Sequence, residues 1–305
     1  MRIALLGQAA FGADVFKALH PRYDIVGVFC PPDSPKGKVD PLKEAAQAEG
    51  VAVFQPRRMK DPEAFEAMKK LAPDLAILAF VTDIVPGRVL ELPRLGSICY
   101  HPSLLPKHRG ASAINWAVID GDSKTGLTIF WVDEGIDTGD ILLQREVEID
   151  PDDTTGTVYF NKLYPLGIEA IVAAVDLIAA GKAPRIPQDH SQATYEPPCD
   201  ERVAEINWSQ QGRVVYNFIR GCDPQPGATS TFRGEKVKFF SAKYIPQAHR
   251  AAPGEIVAVA PQGLSIAVPE GVIIAGRLRT KELGKIKAEE FIKALDPQVG
   301  EKFGS

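Results

Sequence analysis

The stretch that decides the fold is GSICYHPSLLPKHRGASAINWAVIDGDSKTGLTIFWVDEGIDTGD, residues 96–140. Its first residues, 96–100, predict a short strand that ends at His101. Pro102 and Pro106 then end regular structure, because a proline nitrogen cannot donate a hydrogen bond to a ladder or a helix. The stretch therefore places a histidine at the point where a strand gives way to a loop.

The second half of the stretch carries an acidic loop. Residues 112–119 predict a helix, and residues 125–132 predict a strand because they alternate and are rich in branched and aromatic side chains. A glycine-punctuated acidic loop follows over 133–140. Open α/β sheets place ligands at the carboxyl edge, where strands end. We therefore expect His101 and Asp137, which follow successive strands, to lie together.

Upstream, the pattern alternates between buried strands and helices. Strands are predicted at 2–6, 24–30, 51–55 and 74–80, and helices at 11–19, 41–49 and 61–71. Strand, glycine and helix open the chain, as in nucleotide-binding α/β units. However, Gly7 and Gly12 do not make a GxGxxG motif, so we predict a Rossmann-like open parallel sheet that does not bind NAD at this turn.

Downstream, the chain changes character twice. A strand over 140–149 and a helical stretch over 153–180 lead into a proline-rich segment, after which an amphipathic helix is predicted over 206–219. Five short β runs follow, at 228–233, 236–243, 254–259, 264–267 and 272–278, and a last helix at 288–295. Five short strands separated by glycine turns suit a small barrel. The predicted division is a catalytic α/β domain at 1–182, a linker at 183–204 and a barrel domain at 205–305.

Bulk composition narrows the class of protein. With 305 residues, 45% hydrophobic and 24% charged, the chain is typical of a soluble protein of two domains. Its net charge of −4 argues against a general nucleic-acid binder, although a local basic patch is not excluded. The four cysteines have no CxxC spacing, which predicts reduced thiols in the cytoplasm. Neither a signal peptide nor an apolar run of ~20 residues is present, so no membrane association is expected.

The long motifs resemble a known family. HPSLLPxxRG at 101–110, followed by DxGxDTGD at 133–140, is similar to the signature of the folate-dependent formyltransferases and formyl hydrolases of one-carbon metabolism. Finer details resemble the N-terminal hydrolase domain of the 10-formyltetrahydrofolate dehydrogenases. These details are Gly7-Gln8, Phe11-Gly12, YHPSLLPxHRGASAINW (100–116), IFW (129–131), GKAPR (181–185) and NFIRG (217–221).

This resemblance implies a formyltransferase fold with an OB-like C-terminal β-barrel. It also implies 10-formyltetrahydrofolate as the formyl donor, without a metal and without NAD. By the same resemblance, His101 and Asp137 are the catalytic residues, and the segment 81–92 holds the folate ring. The folate contacts expected from the family pattern are Asp83, Ile84, Val85, Leu104, Pro106, Gly110, Asp133 and Gly135.

The residue types suit the chemistry that the resemblance implies. Cleavage of an N-formyl group needs a nucleophile, stabilisation of an oxyanion and a proton for the leaving nitrogen. A histidine can supply a proton near neutral pH, and a carboxylate can orient it or take a proton from water. Any acidic residue of a loop can instead cap a turn. The family pattern selects Asp137, and we expect Asp140 to hold the loop in shape.

Other polar residues of the motif have more ordinary interpretations. His101 and His108 are seven residues apart across two prolines, which is not a zinc-ligand spacing. Arg109 either faces the acidic tail of the substrate or is a solvated loop charge. Ser103 lacks the GxSxG context of a nucleophile, so we expect its hydroxyl to bond the loop backbone.

Position 99 departs from part of the family. Members that transfer formyl to an amine carry an Asn-x-His triplet, whose asparagine helps to bind the formyl oxygen. Here the triplet is Cys99-Tyr100-His101. A thiol is a weak donor, and a cysteine at a strand end more often packs than attacks. The departure favours a hydrolase that yields tetrahydrofolate and formate, or that passes formyl to a downstream domain or carrier partner.

Two other functions remain open. One is transfer of formyl to an amine such as methionyl-tRNA or an amino sugar, since the C-terminal region holds many basic residues that could contact tRNA phosphates. The other is a folate-sensing module that catalyses nothing, against which the pair of His101 and Asp137 argues.

Overall fold

A computed structural model describes residues 1–33, 37 and 39–304 of the chain. Its main feature is a seven-stranded sheet with the strand order β3-β2-β1-β4-β5-β6-β7. The strands are β1 (Arg2–Gly7), β2 (Asp24–Phe29), β3 (Val53–Phe54), β4 (Leu75–Ala79), β5 (Ser97–His101), β6 (Lys124–Trp131) and β7 (Ile141–Glu148). Strands β1 to β5 pair in parallel, which confirms the predicted open, mostly parallel sheet.

Helices alternate with these strands along the chain, and others follow in its C-terminal part. They are α1 (Ala9–Leu19), α2 (Pro41–Ala48), α3 (Pro62–Leu71), α4 (Gly87–Leu90), α5 (Ala113–Ile119), α6 (Thr155–Thr157), α7 (Tyr164–Ala179), α8 (Gly212–Gly221) and α9 (Ala288–Leu295). Helix α2 begins where its sequence predicts, because the Asp40 carboxylate accepts a hydrogen bond from the Leu42 N–H at 2.9 Å. The predicted helix 206–219 starts later, at Gly212, because the Ile206 N–H bonds the carbonyl of Thr229 instead.

Parallel strands of the sheet are buried, as their apolar runs predict. All five residues of β4 are buried, and the last five of β1 are buried as well. The side chains on one face of these two strands join Phe29, Met68 and Val89 in one core cluster. This burial, worth about 1.5–3 kcal/mol for each large apolar side chain, fixes the strand ends from which the site residues project.

The strand after α5 runs in a direction that its sequence does not reveal. Strand β6 pairs antiparallel with β5, so that Ile98 lies opposite Trp131 and His101 opposite Thr128. The alternation of residues 125–132 predicts which side chains are buried but carries no information on strand direction. The loop after β6 therefore starts at the opposite edge of the sheet from His101. The argument that both strand ends meet at one carboxyl edge is wrong.

The chain forms two compact units. One comprises residues 1–109, 126–147 and 161–195, and the other comprises 110–125, 148–160 and the chain from Glu196 onward. The domain boundaries at 182 and 205 stay a prediction. Across the described ranges, no helix is both long and apolar enough to cross a lipid bilayer.

The C-terminal strands form two sheets. They are β8 (Ala228–Phe232), β9 (Glu235–Phe240), β10 (Lys243–Pro246), β11 (Ile256–Ala260), β12 (Gly263–Val268), β13 (Gly271–Ala275), β14 (Arg277–Thr280) and β15 (Gly284–Lys287). The antiparallel orders are β10-β13-β12-β11 and β15-β14-β9-β8. Two predicted runs are split, one at Ser241 (φ +51°) and one at Gly276, where a Cβ would lie 2.6 Å from the Ser241 carbonyl oxygen.

The predicted barrel is therefore present only as two strand layers. Lys302 bridges to Glu255 beside β11 and Phe303 bridges to Phe232 in β8, so the C-terminal residues join one edge of both sheets. Within the described residues, the strand pairings do not close a ring. The OB-like assignment stays an interpretation of this arrangement.

Candidate active site

His101 and Asp137 lie together in the first unit, as predicted. His101 Nδ1 is 3.5 Å from Asp137 Oδ2, and the two side chains are 8% and 17% exposed. The other ring nitrogen, Nε2, is 2.7 Å from the carbonyl oxygen of His108. A carbonyl only accepts hydrogen bonds, so Nε2 carries a hydrogen and donates it there. Nδ1 is then the ring atom that faces Asp137.

The loop that carries Asp137 folds back over the strand that precedes it. The Trp131 N–H donates to the Asp140 carbonyl at 2.8 Å. Gly139 packs so closely that a Cβ there would lie 1.7 Å from the Trp131 carbonyl oxygen. Asp137 itself has φ +54°, a left-handed conformation that non-glycine residues rarely adopt. This reversal, rather than the strand direction, brings the carboxylate back to His101.

A second aspartate braces the loop. The Asp133 carboxylate accepts hydrogen bonds from the Gly135 N–H at 3.1 Å and from the Thr138 hydroxyl at 2.6 Å. A Cβ on Gly135 would lie 1.9 Å from the same hydroxyl. The bracing carboxylate is thus Asp133, whereas Asp140 closes the loop through its backbone carbonyl. Asp133 and Gly135 stay predicted folate contacts.

Cys99 does not replace an asparagine amide. Its Sγ lies 3.5 Å from the Tyr100 carbonyl oxygen, to which the thiol donates. Burial raises the pKa of the Cys99 thiol far above its ordinary value, and the negative charge of Asp137 raises it further. The thiol therefore stays protonated at neutral pH and is a poor nucleophile. The packing interpretation is the one that this environment favours.

The four cysteines should differ sharply in reactivity. All four are free, and burial raises the pKa of Cys30 to about 12, while the Cys199 sulfur and burial raise the pKa of Cys222. A hydrogen bond from the Cys222 thiol, with the sulfurs 4.0 Å apart, lowers the pKa of Cys199. We expect iodoacetamide at neutral pH to label Cys199 first, as read by peptide mass spectrometry. A Cys199→Ser variant should lose this label, and labelling of Cys99 at an equal rate would contradict the assignment.

The segment predicted to hold folate is shaped by Asp83. Its carboxylate accepts a hydrogen bond from the Met59 N–H at 2.7 Å. Ile84 is 79% exposed, whereas Val85 is buried in the core cluster beneath the segment. The segment therefore exposes one apolar side chain while its neighbours anchor it.

A cavity of about 400 Å³ lies beside this segment at the carboxyl edge of the parallel strands. It is lined, among others, by Gln8, Arg57, Arg58, Met59, Phe80 and Asp83. The Ala9 N–H at the start of α1 does not face a free anion site, because both carboxylate oxygens of Asp40 accept from it at 3.1 and 2.9 Å. In dinucleotide-binding folds a pyrophosphate takes this position. The internal carboxylate thus agrees with the missing GxGxxG motif.

The loop after β5 is tightly bonded to its surroundings. Leu104 and Pro106 lie in it, with a cis peptide at Leu105–Pro106. The Ser103 hydroxyl donates to the Lys107 carbonyl at 2.6 Å, which confirms its expected role. Gly110, the remaining predicted contact, has φ +87° at the start of the second unit.

Arg109 is the clearest departure from the sequence-based expectation. It is 2% exposed, so the solvated-charge interpretation is wrong. Its guanidinium donates to Gln188 Oε1 at 3.2 and 2.6 Å and to the Tyr195 hydroxyl at 2.7 Å, rather than facing a ligand. The proline-rich sequence around Gln188 predicted an irregular linker and gave no sign of this contact. No local pattern distinguishes such a glutamine from a solvent-exposed one.

The chain matches two protein-family models. The Formyl transferase family matches residues 1–175, and the Formyl transferase C-terminal domain matches residues 200–296. The chain belongs to the formyl transferase family. This membership confirms the resemblance carried by the motifs at 101–110 and 133–140.

Relatives of this chain include two kinds of enzyme. The cytosolic 10-formyltetrahydrofolate dehydrogenase of Xenopus laevis is 44% identical over 97% of the chain and 34% of the relative. The chain thus spans about a third of the length of the dehydrogenases that it matches. The methionyl-tRNA formyltransferase of Acetivibrio thermocellus is 37% identical over the whole of both chains.

Solved structures share the fold. HypX from Aquifex aeolicus in complex with tetrahydrofolic acid has a TM-score of 0.70 at 21% identity, over 99% of this chain and 48% of HypX. The N-formyltransferase from Helicobacter canadensis, in complex with folinic acid and dTDP-3-aminofucose, has a TM-score of 0.69 at 17% identity, over 90% and 98% of the two chains. These likenesses establish the formyltransferase fold.

Proposed function

We propose that the chain removes the formyl group of 10-formyltetrahydrofolate with water as the acceptor, giving tetrahydrofolate and formate. The observation that carries this proposal is the facing pair of His101 and Asp137 beside a protonated thiol at the position of the family's asparagine. Support also comes from the dehydrogenase relatives, which match nearly the whole chain. The expected folate contacts, from Asp83 to Gly135, belong to this proposal.

Asp137 generates the nucleophile. Its carboxylate accepts a proton from a water molecule, and the water oxygen bonds the formyl carbon. The electron pair of the formyl double bond moves to oxygen and leaves an oxyanion. The Asp137 side chain keeps 17% of its surface exposed, so water can reach it.

His101 stabilises the oxyanion and then releases the leaving group. Its Nε2–H is committed to the His108 carbonyl, so Nδ1, which faces Asp137 at 3.5 Å, is the atom that receives the water proton from Asp137, and the Nδ1–H so formed donates to the oxyanion. When the tetrahedral intermediate collapses, the bond from carbon to N10 breaks and its electron pair goes to nitrogen. N10 takes the Nδ1 proton, and formic acid ionises to formate.

Transfer to an amine acceptor is the alternative that specific observations favour. The cavity at the carboxyl edge of the sheet is bordered by Arg57 and Arg58, which could attract the phosphates of methionyl-tRNA or of a nucleotide amino sugar. The methionyl-tRNA formyltransferase of Acetivibrio thermocellus matches the chain end to end. A carrier domain or protein could also receive the formyl group, since the dehydrogenase relatives are longer. Free cysteines and the cytosolic names of relatives support a cytoplasmic setting.

The test measures both products in one tube. Purified chain with 10-formyltetrahydrofolate and no amine is expected to release tetrahydrofolate and formate in equal amounts. Release that begins only after addition of methionyl-tRNA or a dTDP-amino sugar would establish the transferase instead. Binding of the folate without any turnover in either tube would support the folate-sensing module instead.

A substitution at position 99 tests whether the missing asparagine is what favours hydrolysis over transfer to an amine. Cys99→Asn adds an amide donor beside the formyl oxygen, and one such donor is worth roughly a hundredfold in rate when it is well placed. We expect amine transfer to rise about tenfold or more, with Cys99→Ala as the control that removes the thiol without adding a donor. Equal transfer by the two variants would refute the role given to this position.

A further inference from the structure

The loop that presents Asp137 is held from outside by one buried side chain. Gln188, which is 6% exposed, donates from Nε2 to the carbonyl oxygens of Asp137 and Gly139 at 3.0 and 2.7 Å. The two carbonyls flank Thr138, so a single amide fixes the backbone on both sides of that residue. Because Asp137 has a positive φ, its conformation persists only where neighbours determine it.

The orientation of this amide is set by Arg109. Gln188 Oε1 accepts from Arg109 Nε and Nη2, and a guanidinium can only donate. A flipped amide would place its NH₂ against the guanidinium and its oxygen against two carbonyls. Arg109 is in turn fixed by the Tyr195 hydroxyl at 2.7 Å and by His190 Nδ1 at 2.9 Å. The Nε2 donors of Gln188 therefore always face the loop.

One short segment thereby fixes both members of the pair. The backbone carbonyl of His108 holds the His101 ring through Nε2. The side chain of the next residue, Arg109, holds the Asp137 loop through Gln188. Residues 108 and 109 therefore set the position of His101 and the position of Asp137 relative to each other.

We propose that Gln188 is a positioning residue that sets the Asp137 carboxylate against His101. It does not touch the reacting atoms, and it acts through the backbone of residues 137 and 139. The catalytic consequence rests on the proposed function, because the geometry of the pair affects rate only if the pair does chemistry. The position that Gln188 gives to the Asp137 carboxylate does not depend on the proposed function.

Gln188→Glu tests the donor role of the amide apart from its acceptor role. The carboxylate still accepts from Arg109, so the buried guanidinium keeps a partner, but both donors to the loop are lost and the two carbonyls are repelled. We expect kcat for formate release to fall between ten- and a hundredfold, as for a catalytic group misplaced by about 1 Å, with KM for the folate within twofold. Gln210→Glu, at an exposed glutamine of the second unit, is the control and should keep the wild-type kcat.

Two further readouts exclude a merely structural role. In an Asp137→Asn background, Gln188→Glu should cost nothing more, because the two residues act as a unit. The side-chain ¹⁵N resonances of His101 should shift in Gln188→Glu and not in Gln210→Glu. An unchanged kcat, a loss fully additive with Asp137→Asn, or unshifted His101 resonances would each overturn the proposal.

Failure of the proposed function is distinguishable from failure of this inference. If the wild-type chain releases no formyl group with or without an amine, the function is wrong, and the His101 resonances alone then decide whether Gln188 positions the pair. If Gln188→Glu does not fold, Gln188→Met supplies a neutral variant that lacks the same donors. The same resonance shift is expected from it.

Discussion

Asp137→Asn is expected to lower kcat for formate release roughly a thousandfold, within the range for loss of a general base. The amide has the shape of the carboxylate but cannot accept the proton of the attacking water. Binding of the folate substrate should stay within a few-fold, since the backbone that Gln188 holds is unchanged. Release of formate and tetrahydrofolate, measured beside direct titration of the folate, checks both parts.

Glu134→Gln is the matched control for this variant. It removes a carboxylate of the same loop that is exposed to solvent and not paired with His101. We expect it to keep the wild-type rate. If the two variants lose activity equally, the loop charge as a whole matters, and the specific role of Asp137 is wrong.

His101→Gln is expected to lower kcat by a factor between a hundred and a thousand. A glutamine amide can take the place of Nε2 and still donate to the His108 carbonyl, but it leaves no proton at the position of Nδ1. His101→Asn does the reverse, because its amide nitrogen can stand where Nδ1 stands. Both variants lose proton transfer to the leaving nitrogen.

The comparison between the two variants tests which ring nitrogen is the working one. If Nδ1 stabilises the oxyanion, His101→Asn should be several-fold faster than His101→Gln, and both should remain far below the wild type. A faster glutamine variant would mean that Nε2 faces the substrate during reaction. The hydrogen bond of 2.7 Å from Nε2 to the His108 carbonyl would then have to break when the substrate binds.

The central pair and most elements were predictable because their signals are local. Buried runs of five or six apolar residues identify β1 and β4, and the motifs at 101–110 and 133–140 place His101 and Asp137 in the loops that carry them. Helix α9 begins and ends at the predicted residues. In each case the residues that produce the structure are neighbours in sequence.

The rest depends on partners that a local pattern does not identify. The alternation of β6 is the same whether the strand runs parallel or antiparallel to β5, so the path of the loop to Asp137 was missed. Arg109 was taken for a ligand contact or a surface charge because its acceptors are 79 and 86 residues away. The segment 183–204 was expected to be a linker for the same reason, although Gln188 in it is buried.

These separations also imply an order of assembly. The contact that orients His101 closes over only 7 residues, whereas Gln188 must reach back 51 residues to Asp137 and 79 to Arg109. Local contacts form early in folding, and distant ones form after more chain entropy has been lost. A chain still emerging from the ribosome can therefore orient its histidine well before its carboxylate is held in place. In such a chain the Asp137 loop lacks its Gln188 contact until residue 188 has emerged, so the pair of His101 and Asp137 reaches its final geometry only late in synthesis.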